Sequence, residues 1–171
     1  MNGECVYQCY EDYEDNGKEC ISTVYWYDNT TGLFWQKFPN GQNSTWTSAR
    51  DHCYDLFLGG YTDWRIPTIS ELRSLVRGCT ATHINGLCDI SDDCPYSSCD
   101  STDCLGCSDS EGPADGCYWP SDLGGFCNAA YWSATNYNTG TGYAWVLGFD
   151  QARFAERDKS TGADVRCVRG P

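Results

Sequence analysis

The sequence predicts an α+β domain in which two short helices pack on small antiparallel sheets and a disulfide-rich insertion interrupts the chain. Three observations predict it. Apolar residues recur at helical spacing in two places before residue 78. Short aromatic-rich runs with turn residues between them lie on either side. Eight of the thirteen cysteines crowd into residues 79–127. The 171 residues suit one domain with a packed core, so cross-links add to that core.

Residues 1–23 carry Cys5, Cys9 and Cys20 among acids and tyrosines and predict an extended lead-in tied by one local bridge. Residues 24–171 form the domain proper. From Val24 to Phe38 aromatics dominate, and Asp28-Asn29-Thr30-Thr31-Gly32 predicts a turn between two strands, the second being Leu33-Phe34-Trp35-Gln36. Trp46, Ala49, Cys53 and Leu56 share one face of a helix over 46–56, started by Ser44 or Thr45 and ended by Gly59-Gly60. A second helix runs from Thr68 to about Arg77 with Ile69, Leu72, Leu75 and Val76 inward. Its Thr68-Ile69-Ser70-Glu71 start is a capping box, in which hydroxyl and carboxylate satisfy the first free amides reciprocally.

The insertion holds Cys79, Cys88, Cys94, Cys99, Cys104, Cys107, Cys117 and Cys127, nine acids and no Lys or Arg. Its short polar intervals predict a loop made rigid by cross-links, and about 105 pairings are open to eight cysteines. Thiols at this density point to an oxidising compartment, hence a secreted or surface protein. Cys104-Leu-Gly-Cys107 has zinc-ligand spacing, but no second such pair follows and His83 is the one histidine nearby. Asp89, Asp92, Asp93, Asp100 and Asp103 are candidate calcium ligands by chemistry. Their spacing fails the EF-hand pattern, with Cys94 standing where glycine is needed, so solvated acids are the competing reading.

After the insertion, strands are predicted at Tyr131–Thr135, Tyr143–Phe149, Gln151–Ala155 and Asp164–Val168, with 138–142 a flexible link. If Leu147 and Phe149 point inward, alternation turns Val146, Gly148 and Asp150 outward. A formal charge of −13 argues against nucleic acid or anionic lipid as partner, although Arg153, Arg157, Lys159, Arg166 and Arg169 predict a local basic patch. No apolar run approaches a membrane span. No leader pattern opens at Met1-Asn2-Gly3-Glu4, and the domain is expected at or near the C-terminal end of a longer protein.

Taken in order, Gly32-Leu33-Phe34-Trp35-Gln36, Leu58 to Thr68, Glu71-Leu72-Arg73-Ser74-Leu75, Tyr131 to Thr135, Ala144-Trp145 and Val165 to Arg169 resemble the Lcl C-terminal-domain family, named for a bacterial collagen-like adhesin. The resemblance covers roughly Val24 to Arg169 and implies a C-type-lectin-like fold with adjacent termini, close to that of the formylglycine-generating enzyme. In that topology the first helix packs near the last strand, which implies a Cys53–Cys167 bridge. Eight insertion cysteines then remain to close on themselves, and one of the three in the lead-in lacks a partner within its segment. Relatives act as trimers, but no coiled coil or collagen repeat is present here, so the oligomeric state stays open. Domains of this kind are also among those whose last strands are diversified by retroelements.

Catalytic patterns are sparse. His52 beside Cys53 would need a free thiol, and no nucleophile elbow or phosphate loop is present. Formylglycine-type oxidation would need a redox-active cysteine pair in the late strands, where Cys167 stands alone. A lectin-type calcium tripeptide is also missing. The expectation is a non-enzymatic adhesin or receptor-binding domain, meeting a protein or glycan on another cell or surface. Asn136, Tyr137, Asn138, Tyr143, Trp145, Gln151, Arg153, Glu156, Arg157 and Asp158 are the candidate binding residues, since Tyr, Asn and Arg make adaptable recognition faces. A cysteine-based enzyme and a purely structural surface module are the alternatives.

Overall fold

A computed structural model describes residues 13–15, 20–39, 41, 43–138, 140 and 142–170. A ribbon of β1 (Tyr13–Asp15) and β2 (Cys20–Ser22) precedes a hairpin of β3 (Tyr25–Asp28) and β4 (Leu33–Gln36). Helices α1 (Trp46–Tyr54) and α2 (Ile69–Ser74) follow, then the insertion with 3-10 turns at Ser97–Cys99 and Thr102–Leu105. Strands β5 (Ala130–Asn136), β6 (Tyr143–Gly148), β7 (Arg153–Asp158) and β8 (Val168–Arg169) complete the chain. The sheets are β3-β4-β8 and β5-β6-β7, antiparallel throughout, giving an α+β, disulfide-rich fold.

In the lead-in, β1 and β2 are extended strands that pair in register from Tyr13↔Ser22 to Asp15↔Cys20. The bridge expected there, and the expected odd thiol among Cys5, Cys9 and Cys20, lie outside the described residues and side chains.

Local chemistry sets both helices. Thr45 accepts from the Ser48 amide to start α1. At α2 the capping box forms, with Thr68 Oγ1 accepting from the Glu71 amide and Glu71 Oε2 from the Thr68 amide. Both helices end earlier than periodicity suggests. Leu56 N–H turns back to Cys53, and Leu75 and Val76 to Leu72 and Arg73, three-residue steps that tighten the last turn. Gly59 and Gly60 do not cap α1. At positive φ they form the Leu58–Tyr61 turn, where a Cβ on Gly59 would sit 2.6 Å from the Tyr25 ring.

The β5-β6-β7 sheet is buried on both faces, which corrects the expected alternation. Tyr131, Leu147, Phe149 and Phe154 enter one core with Trp35, Leu72, Ile90 and Trp119. Trp132, Ala144 and Val146 enter a second with Ala49, Trp64 and Val165. Val146 therefore does not face solvent, because α1 and the segment before β8 cover that side. The last segment is also less regular than expected. Ala163 and Asp164 make single bridges to Ser44 and Tyr131, and only Val168 and Arg169 form a strand.

The expected basic patch is taken apart. Arg166 is fully buried and donates to the carbonyls of Gln36, Lys37 and Gly124 at 2.6–2.8 Å, stacked over Trp119 and Tyr131. Burial lowers its pKa to about 10. Arg169 pairs with Asp63 and lies over Tyr61 and Phe34. Lys159 donates to Asn136 Oδ1 at 2.6 Å and sits over Trp46.

Cys53 on α1 and Cys167 are bonded, with Cα atoms 5.5 Å apart and a sequence separation of 114. Closing so long a loop restricts the unfolded chain strongly. Replacing both cysteines by serine is expected to cost about 4–5 kcal/mol in urea unfolding, the range for loops of roughly 100 residues.

Candidate binding site

The site begins with the insertion. Its eight cysteines pair among themselves as Cys79–Cys107, Cys88–Cys104, Cys94–Cys99 and Cys117–Cys127. Arg73 on α2 reaches into the first loop of the insertion and donates to the carbonyls of Thr82, His83, Gly86 and Ile90 at 2.9–3.3 Å. A planar guanidinium with five fixed donors can read several carbonyls at once, which a point charge cannot.

The organised loop then grips the late strands at both ends. At the β6–β7 turn, the amides of Cys107, Ser110 and Tyr118 donate to Gln151, Asp150 and Phe149 at 2.7–2.8 Å. Ala152 closes that turn at φ +53° with its side chain fully buried. At the β5–β6 connection, Asn138 N–H and Trp145 Nε1–H both donate to the Pro95 carbonyl at 2.9 Å, and Asn138 Oδ1 accepts from the Ser97 amide.

A groove of about 270 Å³ opens on the sheet where the second core ends. The register explains it. Ala130, Gly148 and Arg153 form one row across the strands, and Trp132, Val146 and Ala155 the next. Small side chains leave a shallow floor, while Arg153 and Arg157 project from alternate positions of β7 on the same side. Arg157 Nη1 donates to the Gly162 carbonyl. Arg153 is exposed and, among the described residues, is the one Lys or Arg whose side chain makes no hydrogen bond or ion pair. Burial raises the Asp100 carboxyl above its ordinary range and Glu156 adds to this, while Arg153 opposes it.

Of the sequence candidates, Gln151, Arg153 and Arg157 meet at this groove. Glu156 points to the other side of β7 and is exposed. Tyr143 (47% exposed) and Asp158 pair at the far end of the strands, where Asp158 Oδ1 holds the Ser160 amide and hydroxyl. Asn136 is engaged by Lys159, and Asn138 takes φ +53° to meet the insertion. Trp145 corrects the expectation, being fully buried with its indole N–H on Pro95 and Tyr137 packed edge-on against it at 5.1 Å. Asn128, Ala129 and Ala130 complete the groove rim and were missed. Their only sequence signal is a run of small residues before Tyr131.

The candidate calcium set does not converge. Asp92 Oδ1 accepts from Thr135 Oγ1, and among the described residues no three His, Cys, Asp or Glu gather as a metal would require. Cys104 and Cys107 are both consumed in disulfides, which leaves the zinc reading without thiolates.

The groove and both grips on it lie within residues 24–169, and those residues match the profile of the Lcl C-terminal domain. The chain belongs to the Lcl C-terminal domain family. No curated protein matches the chain. In this Lcl C-terminal domain the acidic insertion is thus the frame of the late strands, and Arg73 is its organiser. Arg73→Lys is expected to destabilise the domain by about 2–4 kcal/mol in denaturant unfolding, since a lysine cannot satisfy four buried or half-buried carbonyls. An effect below about 0.5 kcal/mol would show that the loop holds without it.

Proposed function

We propose that this Lcl C-terminal domain is an extracellular recognition module that captures a protein or glycan of another cell or surface in the β5-β6-β7 groove. Five disulfides among the described residues support an oxidising compartment. No helix among the described residues is long and apolar enough to cross a membrane. The observation that carries the reading is Arg153, a cation with no side-chain hydrogen bond or ion pair, at the rim of a small-floored groove in a chain of formal charge −13. A guanidinium whose N–H groups make no hydrogen bond or ion pair on so acidic a molecule is available to a ligand's acceptor groups.

Binding is favoured over catalysis because each cysteine whose side chain is described is held in a disulfide, leaving no thiol beside His52. The outward positions Gln151, Arg153 and Glu156 sit on a cross-linked frame and tolerate substitution at small stability cost, which suits diversification by a retroelement. An adenine-mutated template repeat in the adjoining DNA is the corresponding genomic sign.

The test is a screen of immobilised cell-surface proteins and glycans with the folded domain, repeated with Arg153→Glu and Ala155→Arg. Both variants are expected to keep the unfolding midpoint and to weaken capture at least about tenfold, or ~1.4 kcal/mol. Capture that is untouched by both, or no capture at all, would overturn the proposal.

A further inference from the structure

A second and larger cleft, about 470 Å³, lies away from the late-strand groove, between the β3–β4 hairpin, the end of α2 and the last part of the insertion. One wall is the half-buried indole of Trp26 on β3, and another is Pro120 beside the buried Trp119. The rim is polar. Asp28, Asn29, Thr30, Arg77, Ser121 and Asp122 line it.

The condition of each polar group limits what the cleft can take. Asp28 is 2% exposed, and its two oxygens accept from the Thr30 amide and Thr31 Oγ1 at 2.9 Å, so it fixes the turn and contributes negative charge beneath the rim. Arg77 is half-buried, with Nη1 turned back onto the Ser74 and Val76 carbonyls at 2.7 and 3.1 Å, so its remaining N–H groups are positioned. Ser121 and Asp122 are exposed, as are the uncharged Asn29 and Thr30. Acceptors outnumber cations here, and two carboxylates oppose an anion. A cationic group, having no acceptor, leaves the Arg77 N–H groups unmatched. An uncharged ligand rich in hydroxyls meets none of these penalties, because a hydroxyl both donates to carboxylate and accepts from guanidinium.

The apolar wall adds a shape requirement. A flat indole face favours a ligand with one C–H face and polar edges, which buries apolar area while its edges keep hydrogen bonds. The cleft is also built in advance. The Arg77 amide donates to the Tyr118 carbonyl, bridges at Gly112–Gly116 and Ala114–Cys117 shape the wall, and Cys117–Cys127 closes it, so little ordering cost falls on binding.

We infer that this cleft is a second binding site, for one or two rings of an uncharged saccharide, independent of the late-strand groove and of any metal. The site uses Trp26 as the stacking face, Asp122 as hydroxyl acceptor and Arg77 as donor, with Asp28 buried beneath the rim as the anchor of the Thr30–Thr31 turn.

Saturation-transfer NMR and calorimetry with the folded domain, in chelator, test it against neutral gluco-, manno-, galacto- and N-acetylglucosamine oligomers, with sulfated and amino sugars as charged arms. At least one neutral oligomer is expected to bind. Trp26→Ala and Asp122→Ala should each weaken it about tenfold, ~1.4 kcal/mol. Ser121→Arg, at an exposed position, blocks the cleft without touching the core and serves if Trp26→Ala fails to fold. Arg153→Glu should leave this binding unchanged, which separates the cleft from the late-strand proposal. Binding of charged sugars alone, no neutral binding at millimolar ligand, or neutral binding indifferent to Ser121→Arg would each overturn the inference.

Discussion

Three backbone hydrogen bonds from the insertion to the β6–β7 turn, and the double use of the Pro95 carbonyl at the β5–β6 connection, are the constraint on which the rest of this structure depends. A turn with unpaired carbonyls at Phe149, Asp150 and Gln151 would otherwise be mobile and solvated. Here the carbonyls are satisfied by a loop that four disulfides prevent from unravelling. The groove at Arg153 inherits that rigidity, because the turn that leads into β7 cannot shift without breaking the clamp.

Two arginines do the work that regular secondary structure does elsewhere. Arg73 gathers four carbonyls of the insertion's first loop, and Arg166 gathers three from β4, its exit and Gly124. Each lets irregular backbone lie against the core without leaving orphaned acceptors. Both also face aromatic rings, Arg73 over Phe154 and Arg166 over Trp119 and Tyr131. The acidic charge of the chain is thus compatible with a core that holds buried cations, because the cations are read by carbonyls.

The strands around the Asp28–Gly32 turn and the capping box at Thr68 were legible in the sequence because short-range chemistry sets them. The Cys53–Cys167 contact came from the resemblance, since no spacing connects residues 114 apart. Val146 misled because alternation assumes one wet face, whereas α1 and the segment before β8 cover its side of the sheet. Trp145 lies on the opposite side with Leu147, in the first core, where its indole N–H meets the Pro95 carbonyl of the insertion. Gln151, Arg153 and Arg157 could be chosen as candidates from residue type and strand position. The floor of small residues could not, because it appears only when Ala130, Gly148 and Ala155 are brought into cross-strand rows. The clamp was illegible for a similar reason: backbone donors carry no sequence mark.

Native-state hydrogen exchange of the Cys107, Ser110 and Tyr118 amides tests the clamp most directly. If the insertion frames the late strands, these three exchange only with the global unfolding that also exposes the β6 amides, and their free energies of exchange match. Exchange through local opening, several kcal/mol easier than β6, would show that the insertion is an appendage and that the groove is rigid for some other reason.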